Sequence, residues 1–246
     1  MKVTGRKPGG SIVKISGMNK KQGKLIVIEG IDGSGKTTQF KKLLEKLRAE
    51  HHTVRNIHFP RHETPFFGMM VDEYLNGRFG DPATLDPRLS SLLYACDRWE
   101  TRDVMNSWLK EGAIIVLDRY MTSNKGHQLG KITGEKEKLA YLKWLDQLEF
   151  EVFKIPVPDK VIYLDMPLAK VRDLMQKRDQ TDRTYAAGAH DLLESNTKHL
   201  RDAQEAYRFT ARLYPYWKQI DCWEQERILS IEEIHNKIWQ ELQTIL

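Results

Sequence analysis

Cysteine is scarce: the chain has two, Cys96 and Cys222, far apart and without CxxC or Cys/His spacing. That arrangement supports neither a disulfide framework nor a zinc site, and two reduced thiols are the expectation. Long apolar runs are missing too. No segment approaches the roughly 18 apolar residues of a membrane-spanning helix, and the N-terminus has no apolar block of signal-peptide type. A cytoplasmic chain with no membrane partner is therefore expected. Acidic residues are absent from the first 24 positions, which carry seven Lys or Arg. Because the whole chain has a net charge of +5, the remainder sits at −2. The basic excess thus belongs to the leading segment and not to the body, which argues against a nucleic-acid-binding surface on the body. Residues 1–23, which also contain Gly and Pro, are expected to form a flexible basic extension ahead of one domain over residues 24–246.

Regular patterning starts at Lys24. Leu25 to Glu29 is a short β-branched run, and Val54 to Phe59, Ala113 to Leu117, Lys160 to Asp165 and Lys218 to Cys222 are further candidate strands. Helical stretches fill the spaces between them: 36–50, 86–111, 136–153, 168–178 and 191–213. Strands alternating with helices predict a parallel sheet covered on both faces, with ligands at the carboxyl ends of the strands.

The first strand-to-helix turn reads Gly30-Ile31-Asp32-Gly33-Ser34-Gly35-Lys36-Thr37, with Thr38 next, and fits GxxxxGK[ST] in the context that motif requires. Its glycines let backbone N–H groups turn toward phosphates, and the helix N-terminus adds partial positive charge. Lys36 is expected at the β and γ phosphates of ATP, and the Thr37 hydroxyl near Mg²⁺. Asp118, closing the third strand, has the placement of an acid that holds the magnesium shell through water. Alone, this loop leaves GTPases, nucleic-acid ATPases and small-molecule kinases open.

Further segments follow in order: Phe59-Pro60-Arg61 after the second strand, then Tyr94, Asp97, Arg98 and Trp99 in one helix, then Asp118-Arg119-Tyr120 with Ser123 and Asn124 beyond. With the phosphate loop and its internal Asp32, this series resembles the thymidylate kinases over residues 24–240. The resemblance implies a P-loop NTPase fold of class α/β, a doubly wound, mostly parallel five-stranded sheet flanked by helices, with a mobile lid near residues 177–190. It implies transfer of the ATP γ-phosphate to dTMP, with Mg²⁺, in a homodimer. Arg119 then grips the acceptor phosphate, Asp32 meets the sugar 3′-OH or the metal and pairs with Arg119, and Tyr94 and Arg98 stack and reach the base. Asn124 offers an amide to the thymine edge, His127 and Gln128 lie near the sugar, Arg61 helps with the acceptor phosphate, and Phe66 packs beside the thymine.

Relatives carry the catalytic arginine either in the phosphate loop or in the lid. Gly33 follows Asp32 here, so Arg178 or Arg183 is the expected internal arginine finger. Helical faces within Leu89 to Trp108 and Leu139 to Phe153 carry more apolar side chains than one stripe needs, which makes them the candidate dimer surface. Two other readings stay open: a kinase acting on another nucleoside or nucleotide, and a nucleotide-dependent module that binds nucleic acid through its basic leader.

Overall fold

The computed structural model describes residues 23–62, 66–181 and 196–246, with the side chains of 175–181 excepted. In chain order it contains β1 (Lys24–Glu29), α1 (Lys36–Ala49), β2 (Val54–His58), α2 (Phe67–Leu75), α3 (Pro87–Glu100), α4 (Arg102–Lys110) and β3 (Ile114–Asp118). Short helical turns over 121–131 lead to α5 (Glu135–Asp146), β4 (Lys160–Asp165), α6 (Leu168–Thr181), α7 (Thr197–Leu213) and β5 (Trp217–Asp221). A small hairpin, β6 (Trp223–Glu224) and β7 (Arg227–Ile228), precedes α8 (Ile231–Leu242).

The five main strands form one parallel sheet in the order β2-β3-β1-β4-β5. Burial explains why the centre of the sheet is so plain in sequence. In β1, β3 and β4 almost every residue is buried on both faces, so the strands read as unbroken apolar runs, whereas edge strand β2 is largely exposed. Register aligns Ile28 with Asp118 on one side and with Ile162 on the other. The carboxyl ends of the three central strands therefore reach the same edge. Chain direction diverges on either side of β1, and this is the crevice where such sheets bind ligands.

Helix boundaries follow local chemistry. Asp86 caps α3 by accepting from Arg88 N at 2.8 Å and Leu89 N at 3.2 Å, with Pro87 in the first turn. The single helix expected over 86–111 is two, broken at Thr101, whose hydroxyl turns back to Arg98 O at 2.8 Å. The expected helix over 136–153 is α5 followed by a wide π-type turn over Gln147–Val152. A second such turn, Asn124–Gln128, gathers Asn124, His127 and Gln128 beside the sheet edge. Helices α2 and α8 and the small hairpin were not among the expected elements. Ser230 and Glu233 form a capping box at the start of α8.

Among the described residues, no helix is long and apolar enough to cross a membrane. Ile115, at the centre of the sheet, is fully buried. Ile115→Ala is expected to cost about 2–5 kcal/mol in urea denaturation with an unchanged slope. A loss under about 1 kcal/mol would mean that the sheet closes around the void.

Candidate active site

One cleft of about 510 Å³ opens at the carboxyl edge of the sheet. Its floor is the phosphate loop. A Cβ on Gly30 would lie 2.5 Å from Ser34 Oγ and 2.9 Å from Leu164 O, so a side chain there would push the loop off β4. Gly35 takes φ 90° to start α1, a conformation that suits glycine. Lys36 folds over the loop: its Nζ donates to Ile31 O at 2.9 Å and lies 3.3 Å from Asp32 Oδ1. Asp32, Gly33, Gly35, Lys36, Thr37 and Thr38 line the cleft, whereas Gly30, Ile31 and Ser34 are not on its wall.

Across from Lys36 stands Arg119, just past the end of β3. Its φ of 66° is rare for a residue with a side chain, and such a conformation costs on the order of 1–3 kcal/mol. Bonds on both sides hold it. Arg119 N donates to Ile28 O at 3.1 Å, and Tyr120 N donates to Glu29 Oε1 at 3.2 Å. The fully buried Glu29 carboxyl also accepts from Thr122 Oγ1 at 2.6 Å, Ser123 Oγ at 2.9 Å and Tyr207 OH at 2.9 Å. Glu29 was read only as the end of an apolar strand. An acid closing a fully buried run was the signal that it held something.

The Arg119 guanidinium is bonded on two sides, with Nη2 donating to Asp32 Oδ1 and Nη1 lying 3.2 Å from His127 Nε2. Asp32 Oδ1 is thus shared by Arg119 and Lys36. Burial alone would raise the Asp32 pKa, but the two cations hold it well below the usual carboxylate range. Lys36 is shifted down from its usual value, by burial first and by Arg119 second. His127 Nδ1 lies 3.1 Å from Nε2 of His199, a residue of α7 that sequence reasoning did not single out. Burial pushes His127 well below 6.5 and His199 down to about 4, so both rings are neutral near pH 7.

The far end of the cleft is lined by Phe59, Tyr94, Arg98, Asn124 and Gln128. Arg98 is almost fully buried and is clamped by the buried Glu149, with Nε 3.2 Å from Oε2 and Nη2 on Oε1. Against burial, the Glu149 charge raises the Arg98 pKa, so Arg98 stays protonated. Asn124 spends one amide donor on Ser91 O at 3.3 Å. Gln128 Oε1 is buried without a hydrogen-bond partner among the described residues.

Two expected contacts are not on the cleft wall. Arg61 is drawn onto α3, with Nε 2.9 Å from Asp97 Oδ1 and Nη2 on Glu100. Phe66 is 63% exposed and packs edge-on against Phe67. Arg183, residues 182–190 of the expected lid and the side chain of Arg178 lie outside the described residues.

No group of three His, Cys, Asp or Glu suited to a metal ion occurs among the described residues. Magnesium beside phosphates needs fewer protein ligands, because it keeps several waters and takes one or two carboxylates. Asp118 fits that need. Its Oδ2 is 3.3 Å from His58 Nδ1, while its buried Oδ1 has no hydrogen-bond partner among the described residues. The Asp32 carboxylate, by contrast, is already engaged by two cations.

A phosphate loop after the central strand of a parallel sheet, facing an arginine over one cleft, defines a P-loop nucleotide-binding protein. Comparison with known proteins narrows the class. The thymidylate kinase family model matches residues 28–213. The thymidylate kinase of Plasmodium falciparum is 30% identical over 92% of this chain and 93% of its own, and the human one is 29% identical over 90% of each. A solved structure of the Candida albicans thymidylate kinase superposes with a TM-score of 0.68 at 26% identity, covering 92% of this chain and 93% of that one. The chain belongs to the thymidylate kinase family.

A pH dependence follows from His199. Between pH 4 and 6.5 the unfolded chain protonates this residue and the folded one does not, so stability rises with pH across that window. His199 should contribute about 3 kcal/mol to the rise. Urea denaturation at several pH values should show a shallower rise for His199→Gln than for wild type, and identical slopes would refute the buried neutral state.

Proposed function

We propose that this cleft carries out its family's reaction, transfer of the ATP γ-phosphoryl group to dTMP, by bringing two polyanions into line between Lys36 and Arg119. The observation that carries the reading is the shared oxygen: Lys36 and Arg119 meet on Asp32 Oδ1 from opposite walls of the cleft. A lysine of the donor-phosphate loop and an arginine suited to bidentate phosphate binding are thereby held facing one another across a single carboxylate oxygen.

The acceptor needs little activation. A phosphate monoester has a second pKa near 6, so its oxygens are largely anionic at neutral pH and no strong general base is required. Bringing two anions together is the barrier, and fixed cations in a cleft that excludes water lower it. Lys36 binds the β and γ phosphates, and Arg119 binds the acceptor phosphate. Asp32 holds Arg119 in place and faces the sugar. Thr37 and Asp118 would hold magnesium, which supplies further neutralisation of the phosphates. At the far end Tyr94 stacks on thymine, while Arg98, Asn124 and Gln128 present polar atoms to its edge. Arg178 or Arg183 adds the arginine finger. The reading includes a cytoplasmic enzyme with no nucleic-acid partner.

It also includes a homodimer. Leu89, Leu92 and Trp99 are exposed at helical spacing on α3, and Leu139 and Val152 are exposed on and after α5, which is a costly surface for a monomer to leave in water. Sedimentation at micromolar concentration should give twice the chain mass, and a monomeric mass would remove this part of the reading.

Coupled ADP-release assays with ATP, Mg²⁺ and separate acceptors should show turnover with dTMP well above AMP, dCMP or thymidine. Lys36→Ala and Arg119→Ala should each lower kcat/KM for dTMP by at least about 100-fold. Near wild-type turnover in either variant would overturn the assigned roles.

A further inference from the structure

The arginine opposite Lys36 does not stand on Asp32 alone. Arg119 Nη1 lies 3.2 Å from His127 Nε2, and His127 Nδ1 lies 3.1 Å from His199 Nε2. A guanidinium can only donate, so His127 Nε2 must be a lone pair and its proton must sit on Nδ1. That N–H then needs an acceptor, and the acceptor in reach is His199 Nε2. Each bond fixes the proton position that the next requires.

The rings are also packed as a unit. His127 and His199 meet edge to edge, with centroids 5.3 Å apart and planes 20° from parallel, the arrangement an in-plane N–H···N bond requires, and Tyr207 meets His127 edge-on at 5.7 Å. His199 is itself placed by its helix end: its backbone N–H donates to the Asn196 side chain at 3.0 Å in the first turn of α7. His199 is about 6% exposed at the cleft wall and belongs to none of the motifs that mark the phosphate loop or the acceptor arginine.

We propose that His199 is a positioning residue for Arg119: by accepting from His127 Nδ1–H it keeps His127 Nε2 free to hold the guanidinium at the angle that binds the acceptor phosphate. This rests on the reading of Arg119 as the acceptor-phosphate arginine. Without the acceptor on His199, the His127 proton is free to move to Nε2, where it would face a guanidinium N–H with no lone pair between them. Arg119 would keep its bond to Asp32 and lose the one that sets its rotation.

The role can be separated from general packing by comparing two ligands that differ only in the phosphate. Phenylalanine at this position retains an aromatic ring to fill the space but accepts no hydrogen bond, whereas glutamine retains an acceptor on a side chain of similar reach. Calorimetric titration of His199→Phe should show dTMP binding weakened about three- to tenfold, the usual worth of one hydrogen bond, with thymidine binding changed less than about twofold. His199→Gln should bind both ligands as wild type does. Long-range ¹H–¹⁵N correlation spectra should place the His127 proton on Nδ1 in wild type and His199→Gln.

Equal weakening of dTMP and thymidine in His199→Phe would assign His199 to packing and overturn the proposal. So would unchanged dTMP binding, or a wild-type His127 protonated on Nε2. Arg119→Ala provides the control on the underlying reading. If it weakens thymidine as much as dTMP, Arg119 is not the acceptor-phosphate residue. If it is selective for dTMP and His199→Phe is not, the proposal alone fails.

Discussion

The Glu29 carboxyl is the tie on which the reactive edge of the sheet depends. It closes the central strand, is fully buried, and accepts hydrogen bonds from the backbone of Tyr120, the hydroxyls of Thr122 and Ser123, and Tyr207 of α7. A buried acid is costly unless its lone pairs are filled, and here the donors that fill them come from the loop that must be placed. The left-handed backbone at Arg119 is therefore held from both ends. Strain at that residue is tolerable because the chain on either side of it is tied to β1.

Electrostatics at the edge follows from the same crowding. Lys36 and Arg119 repel, and each is partly desolvated, yet they are kept close because Asp32 lies between them. Asp32 is the counter-charge that lets the two cations stay this close. Its depressed pKa expresses the positive potential of the site, and that potential is what an incoming polyanion encounters. The neutral histidines complete the arrangement without adding charge. A protonated His127 beside Arg119 would raise the repulsion and remove the lone pair that the arginine uses, and burial prevents this near neutral pH.

Much of this was legible in the sequence, for physical reasons that also explain what was not. Central parallel strands are buried on both faces, so β1, β3 and β4 stand out as apolar runs. The phosphate loop needs glycines and a lysine at fixed positions, so chemistry and spacing coincide. Contacts made across the fold leave no such spacing. Nothing near Arg98 in sequence announces Glu149, and nothing near Arg119 announces His199. Arg61 shows the converse case, since its neighbours in sequence pointed it to the cleft while Asp97 and Glu100, distant in sequence, bind its guanidinium on α3. Helix α8 had a readable start in Ser230 and Glu233. Its amphipathic face simply lies beyond the last strand, where alternation offers no further guide.

The two ends of the cleft are built on different principles. At the end proposed to take the base, Arg98 is almost fully buried and locked to Glu149, so its remaining donors have a fixed direction before any ligand arrives. Such a pair is weak evidence for stability, because desolvating both charges offsets most of their attraction. On the proposed reading its use lies in discrimination: a preset donor left unpaired by the wrong base is penalised, and a mobile one is not. At the end proposed to take the phosphate, Arg119 is oriented by Asp32 and His127, each taking one of its nitrogens. Rigid donors suit the recognition of an uncharged ring, where a single misdirected hydrogen bond separates right from wrong. For a phosphate, whose attraction is mainly charge, it is enough on the proposed reading that Asp32 and His127 hold the guanidinium at one angle.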